Sequence, residues 1–495
     1  MSKSTISYGC LAAAMALMHC GNAIAWEPPI GIPAPVFGIE QTHNMFAGQN
    51  GYSDAGSGPY THYVDNSAGC TNSGNDYGSQ EVPRCTVPST LPAGSVVEIH
   101  GGPYTSGNSQ VQWQLNGTAS QPVFIRGIGF NARPEFIGKT IQLRGTYGIV
   151  EYIDVNEGDV EFPGPSDHIA LRHSHVHHHP GTGSIVDNGG GTFIVIYDNE
   201  INNNGIIPSV KDRHGVYSGS NTHHVWILDN HIHHNSGDAI QFCHTCVGKG
   251  NGPASVYIGR NDMHDDEENA IDVKEFIGPV IVSENNIRNY LPSAESNGDA
   301  IRVNDEGSQG DIWIIFNRIS NSTLGIEPSS SNANVYVIGN ILHDIYRSAI
   351  GWDADFVINN TIYDVKDAIR SGETKSNIIF NASSDAIGDE VTACSHNLIN
   401  GGQLQRSCSN TVTGDPQFVF DTNNQLIAIQ SSSPAIGSAF GDHAVYSTFQ
   451  SQFGINIRVD ANGIPRPVGA SWSAGAHEFM DSVPPKPPND LTVNQ

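Results

Sequence analysis

Between about residues 140 and 400 the chain is written in short apolar runs, rich in Ile and Val, that alternate with polar positions and are punctuated by Asn, Asp, Gly and Ser. A period of two is the mark of strands, and the punctuation is turn chemistry; a 3.6-residue helical period is missing from these runs. Two patterns recur. Asn-x-Ile/Leu/Met falls at Asn199, Asn230, Asn261, Asn285, Asn317, Asn340 and Asn360, with spacings between 20 and 32 residues. Between these, Gly/Ala-Ile/Val recurs in HGVYSGS (214–220), DAIQFCH (238–244), NAIDVKE (269–275), DAIRVND (299–305), LGIEPSS (324–330), SAIGWDA (348–354) and DAIRSGE (367–373).

A repeat of this length with several strands per unit cannot bury its apolar positions alone, so successive units must stack. Equivalent strands then lie parallel at roughly 4.8 Å, with aliphatics inside and asparagines bonding turn to turn. The predicted fold is all-β: a right-handed parallel β-helix, a single solenoid with terminal caps.

The chain ends carry a resemblance. THYVDNSAGC…GSQEVPRCTVPSTLPAGSVVEIHGGPY (61–104) and LNGTASQPVFIRGIGFNARPEFIG (115–138), with DPQFV (415–419), SSPAIGSA (432–439) and GIPRPVGASWSAGAHEF (463–479), resemble the opening and closing segments of secreted β-helix polysaccharide lyases of the pectate-lyase-like group. The resemblance implies the architecture and a polysaccharide substrate.

Residues 1–25 read as a secretory signal: Lys3, the apolar core 11–18 and an Ala-Ile-Ala cleavage site. The expected divisions are a Pro/Gly-rich leader at 26–60, one capped solenoid at 61–480 and a Pro-rich tail at 481–495. No later stretch has the ~20 apolar residues of a membrane helix, and the product is expected to be secreted and monomeric. Six cysteines follow the signal. Their close pairs Cys70/Cys85, Cys243/Cys246 and Cys394/Cys408 read as loop-pinning disulfides in an exported protein. A formal net charge of −27 excludes the basic field a nucleic-acid partner needs. It also repels a polyanionic glycan, unless a basic patch or bound calcium screens it.

Alternation fixes which side chains face out. In the Ala-Ile strands one outward column reads Tyr217, Gln241, Asp272, Arg302, Glu327 and the next reads Gly219, Cys243, Lys274, Asn304, Ser329. Lys274 thus lies about one rung from Arg302 and beside Asp272. Eliminative cleavage of a uronan needs a cation at the sugar carboxylate, a base at C5 and an acid at the leaving oxygen. The order ENAIDVK then NGDAIR resembles β-helix alginate lyases, which implies Lys274 as base and Arg302 as acid or carboxylate binder. A lysine base needs a depressed pKa, which burial or the nearby guanidinium would supply. The plain alternative is Lys274 in a solvated pair with Asp272 or Glu275.

Asp272, His214 and Tyr217 complete the candidate catalytic set; Arg213, Gln241, Asn304, Glu327 and His233 are candidate substrate contacts. The run Asp265, Asp266, Glu267, Glu268 is a candidate calcium site. After the Asn-x-Ile pattern, His177, Asn202, His233, His264 and Arg288 should stack as a column able to bind metal or sugar, or serve only as polar surface. Asp272 and Glu327, two rungs apart, would suit a glycoside hydrolase instead; a C5-epimerase would share the proton abstraction; an adhesin would need no base.

Overall fold

The computed structural model describes residues 26–43 and 60–480, except 182, 188, 209–211, 244–245, 247, 295, 305–309, 330–332 and 469–470. The expected signal, the tail and residues 44–59 of the leader lie outside the described residues. The chain winds as a right-handed parallel β-helix. Each central coil contributes three short strands, and each strand pairs in parallel with its equivalent one coil later.

Three faces result. The Asn-x-Ile face stacks Glu200–Asn202, His231–His233, Asp262–His264 and Asn286–Arg288. The Ala-Ile face stacks His214–Ser218, Ile240–Phe242, Ile271–Val273 and Asp299–Val303, then runs into Arg318–Pro328. The third face stacks Thr192–Tyr197, His223–Leu228, Ala254–Gly259, Val280–Ser283 and Asp311–Ile315. Inside, aliphatics fall in register: Val216, Ile240, Ile271, Ile301 and Ile326 form one ladder, and Ile201, Ile232, Met263 and Ile287 another. All are buried. At roughly 1.5–3 kcal/mol per buried aliphatic side chain, these ladders are the main cohesive contribution.

The asparagines set the register. Asn230 Oδ1 accepts both the backbone N–H and the side-chain amide of Asn199, each at 3.0 Å, and Asn261 Oδ1 does the same for Asn230. The series continues through Asn285, Asn317, Asn340 and Asn360 and extends past the expected members to Asn377 and Asn397. Each amide also donates to a carbonyl of the preceding coil, as Asn261 does to Ile227 O at 2.9 Å. The residue before each ladder asparagine is left-handed, with φ 51° at Asp198, 56° at Asp229 and 51° at Arg260. That conformation is unfavourable for a residue with a Cβ, and the buried ladder over-determines it.

The third face is covered. Its outward Val195, Trp226, Tyr257, Ile281 and Trp313 are buried beneath the leader residues Ile32, Phe37 and Ile39 and the helix Ala444–Phe453. The leader is sewn on: Trp226 Nε1 donates to Pro33 O at 2.8 Å, Ser283 Oγ to Ile30 O at 2.6 Å, and Arg172 to the carbonyls of Gly38, Ile39 and Gln41. The described part of the leader is therefore integral to the solenoid, which leaves the other two faces to present polar chemistry. Cys70–Cys85, Cys243–Cys246 and Cys394–Cys408 are disulfide-bonded, as expected.

Asn261→Ala orphans two donors of Asn230 and the Ile227 carbonyl inside the fold. It should lower stability by on the order of 3 kcal/mol, read from the urea midpoint. Asn334→Ala, at an exposed position, should change it by less than about 0.5 kcal/mol.

Candidate active site

On the Ala-Ile face the predicted column is observed. Tyr217 is in register with Gln241, Gln241 with Asp272, Asp272 with Arg302, and Arg302 with Glu327. Lys274 stands beside it at the end of its strand. In the next coil the Asn304 N–H donates to Val273 O at 2.7 Å, and Asn304 Nδ2 points to Asp272 Oδ1 at 3.4 Å. Ser329 Oγ closes the row on Asn304 Oδ1 at 2.6 Å.

The charges are layered. Lys274 pairs with Asp272, and its side chain is 23% exposed where that of Asp272 is 3% exposed. Arg302 pairs with Asp299 at 2.7 Å, with exposures of 29% and 1%. In both pairs the cation faces solvent and the carboxylate lies beneath it. The layering repeats higher up, where Arg370 holds Asp367 at 2.8 Å. Arg302 and Arg370 both come from the tetrapeptide Asp-Ala-Ile-Arg, at 299–302 and 367–370, in which the outward arginine reaches back to the buried aspartate three positions earlier. The Arg370 guanidinium lies 4.6 Å over the exposed ring of Trp352. A partly exposed run of cationic heads with an aromatic plate thus crosses several rungs of an otherwise acidic protein.

Beneath the cations sits a buried polar layer. His214 Nδ1 lies 3.1 Å from the Asp238 backbone nitrogen and 3.3 Å from Asp238 Oδ2; Gln241 Nε2 donates to that same oxygen at 2.8 Å. Asn269 donates to Asp238 Oδ1 through its side chain at 2.7 Å and its backbone at 3.1 Å. Glu268 joins them: His214, Asp238 and Glu268 each offer a ligand atom, all within 4.8 Å of one another. Burial pushes Asp238 up, but its hydrogen bond to His214 and that imidazole's charge, with help from Asn269 and Lys274, outweigh it and hold the carboxyl below its usual range. Burial first, then Asp238 and Asp212, push Glu268 up to about 9. Burial and Asp238 push Asp272 up to about 6 against the pull of Lys274. Glu327 is pushed up to about 7 by burial and Asp299, and its Oε2 is buried without a hydrogen-bond partner.

Several expectations need correction. Burial does pull the Lys274 pKa down, but Asp272, Asp238 and Glu268 more than reverse it and the amine ends above its usual range. Arg302 does not depress it, because that guanidinium is engaged with Asp299. Glu275 is not a partner of Lys274 either; it is fully buried and accepts the Asn251 and Gly252 N–H groups. His214 is buried below the face, so of the expected His214/Tyr217 pair only Tyr217 is partly open to solvent. Arg213 donates to Asp212 O at 3.0 Å in the turn before the face, and His233 lies on the Asn-x-Ile face, in the column where it was expected.

The four acids proposed for calcium do not converge. Asp265 takes His264 at 2.7 Å and Asn289. Asp266 is buried, accepting Asn235 and the Tyr290 hydroxyl as a rung of a second ladder. The Glu267 N–H bonds to Asn235 O, and Glu268 turns toward His214. Asp265, Asp266 and Glu268 are thus committed to different neighbours, and among the described residues no candidate metal-holding group draws on two acids of this run. The residues missed in sequence are Asp238, Asp299, Trp352 and Arg370; the repeated Asp-Ala-Ile-Arg was the readable signal.

The expected histidine column is observed: His177, Asn202, His233, His264 and Arg288 are in register. It also has carboxylate partners that the spacing did not reveal, Asp154 for His177, Glu200 for His233 and Asp262 for Arg288, one column over.

No protein-family model matches the sequence, and no curated protein does. Among solved structures the chain is similar to the pectate lyase Pel9A, at 13% identity over 85% of this chain and 96% of that one, TM-score 0.39. It is similar to the PL6-family alginate lyase AlyGC, at 13% over 80% and 57%, TM-score 0.46. It is also similar to PfbA, a surface adhesin of Streptococcus pneumoniae, at 10% over 70% and 88%, TM-score 0.37. Fold does not imply function, and the reaction has to be argued from the side chains.

A carboxyl whose pKa is higher in the fold than in the unfolded chain holds its proton better when folded. Stability therefore falls as pH rises between the ordinary value of 4.5 for Glu268 and its folded value of about 9. Glu268→Gln removes this dependence. The thermal midpoint of the variant relative to wild type should climb steadily from pH 5 to pH 9; a pH-independent difference would contradict the assignment.

Proposed function

We propose that the protein is an exported enzyme that cleaves an acidic, uronic-acid-containing polysaccharide by β-elimination on the Ala-Ile face. The observation that carries this reading is the pair of partly exposed cations, Lys274 and Arg302, one rung apart and each backed by a buried carboxylate. On a chain of net charge −27, this layering turns the cationic ends of two ion pairs outward, where a polyanion meets them before the carboxylates beneath. At neutrality the buried acid Glu268 is protonated and Glu327 about half so, which limits the opposing charge.

In the reaction, the Arg302 guanidinium takes the uronate carboxylate, a planar group that matches its fork, and acidifies the C5 proton by neutralising the developing charge. Lys274 in its neutral form removes that proton. The C–H electrons become the C4–C5 double bond, the C4–O bond breaks, and the leaving oxygen takes its proton from water. Trp352 offers an apolar plate for a neighbouring sugar ring. Because nearby carboxylates raise the Lys274 pKa, its neutral fraction grows about tenfold per pH unit below that pKa, so the enzyme should work best in alkali.

A second reading has its own support. Asp272 and Glu327 stand two rungs apart, about 10 Å along the stack, with pKa values near 6 and 7. Such a pair suits the base and acid of an inverting glycoside hydrolase.

A panel of uronans and neutral glycans, each with and without chelator, separates the readings. Elimination predicts ultraviolet absorbance from the new double bond, rising between pH 7 and pH 9, and loss of at least ~10³-fold in rate in Lys274→Ala. Arg302→Ala should lose at least ~10²-fold, with ordinary folding in both variants. Reducing ends without absorbance, abolished by Asp272→Asn or Glu327→Gln, would establish hydrolysis instead. Binding without cleavage would leave an adhesin, and activity lost with chelator and restored by Ca²⁺ but not Zn²⁺ would bring in calcium.

A further inference from the structure

The Asn-x-Ile face holds a second set of chemistry-bearing side chains that the proposed reaction does not use. Its outward positions form two columns. In the first, Asp154 is in register with His175, His175 with Glu200, Glu200 with His231, and His231 with Asp262. Carboxylate and imidazole alternate there rung by rung, and His177 and His233 stand in the column alongside.

One geometry appears twice. A carboxylate lies on one rung and a His-x-His strand on a rung beside it: Asp154 with His175 and His177, then Glu200 with His231 and His233. Within each set, one carboxylate oxygen and one nitrogen from each imidazole lie within 4.8 Å of one another. His177 Nε2 is 2.8 Å from Asp154 Oδ1, and the rings of His175 and His177 stack at 3.9 Å. His233 Nε2 is 3.8 Å from Glu200 Oε1, with the His231 and His233 rings 4.2 Å apart. A third grouping, His231 with Asp262 and His264, also converges, but Asp262 is already gripped by both terminal nitrogens of Arg288, whose charge opposes a cation there.

We propose that the two sets, Asp154/His175/His177 and Glu200/His231/His233, each bind one divalent transition-metal ion of the zinc class. Two imidazole nitrogens and one carboxylate oxygen form a borderline donor set that suits zinc, cobalt or nickel, whereas calcium asks for six to eight oxygens. The β-helix fixes the ligands: the i, i+2 spacing puts both histidines of a strand on one side, and the parallel register delivers the carboxylate from the neighbouring coil. Asp154 and Glu200 are two rungs apart, about 10 Å, so the ions are separate. Three protein ligands leave coordination positions open. Beside the second set a pocket lined by Phe130, Arg133, Glu200, Asp229, His231 and Asp262 provides access; Arg133 there is held by the His173 carbonyl at 3.0 Å and by the Phe130 ring. The competing account is a set of histidines satisfied by carboxylate hydrogen bonds alone.

The test uses the intact protein, stripped with chelator and titrated calorimetrically with Zn²⁺ and separately with Ca²⁺ near neutral pH. Co²⁺ absorbance serves as an independent readout of imidazole ligation. Two Zn²⁺ per chain are expected in wild type, one in His177→Ala, one in His233→Ala and none in the double variant. His343→Ala, on the same face outside both sets, should retain two. Thermal midpoints without metal establish that the variants fold; saturating Zn²⁺ should raise the midpoint of wild type and leave the double variant unmoved. Absence of Zn²⁺ binding in wild type, a stoichiometry unchanged in the double variant, or Ca²⁺ binding as tightly as Zn²⁺ would overturn the proposal. None of these readouts depends on whether the other face cleaves a glycan.

Discussion

The buried asparagine ladder is the constraint on which the rest depends. Parallel strands bearing similar aliphatics could slip against one another at modest hydrophobic cost, but a slip of one residue sends every side chain to the opposite surface. An amide oxygen that accepts two donors from the previous coil, on an amide that donates to another buried carbonyl, leaves several unsatisfied groups if the register moves. The left-handed residue before each asparagine is stabilised by the same bonds. Because the ladder runs from Asn199 to Asn397, insertions between faces change turn length without disturbing which residues stack.

Given that register, chemistry on the outside becomes a matter of columns. On the Ala-Ile face, alternation with the inward Ile places Asp272, Arg302 and Glu327 on one line and Lys274 beside it. The buried acids are what a surface ammonium and guanidinium need to be held at fixed positions, and burial is what keeps Glu268 and Glu327 from overwhelming them with negative charge. The same layering carries a cost for the lysine. A carboxylate that orients an ammonium also stabilises it, so a lysine base positioned in this way is efficient only in alkaline medium. The third face contributes by withdrawal: leader and helix cover its aromatic stripe, leaving two polar faces for separate tasks.

Much of this was legible in the sequence because period-two alternation and a repeated asparagine are local signals that survive variation in turn length. Outward columns followed from counting, and Tyr217, Gln241, Asp272, Arg302 and Glu327 do stack. Counting along one strand says nothing about depth, however. It could not reveal that His214 is buried, that Asp272 lies beneath Lys274, or that Asp238, from the turn before another strand, raises the pKa of both. Turns were the weakest ground. Asp265 to Glu268 read as a cluster because they are adjacent in the chain, yet Asp265, Asp266 and Glu268 each turn to a different neighbour. The carboxylate partners of the histidines escaped notice for the opposite reason: Asp154 and His175 are 21 positions apart in the chain and adjacent only once coils are stacked.

The central claim is that the outer cations of the Ala-Ile face bind a sugar acid. A crystal structure of Lys274→Ala with a short oligouronate tests it most directly. The account predicts a uronate carboxylate within about 3 Å of the Arg302 guanidinium, with C5 directed at the space vacated by the lysine amine. An oligosaccharide lying on the Asn-x-Ile face, or one whose carboxylates all turn away from Arg302, would contradict it.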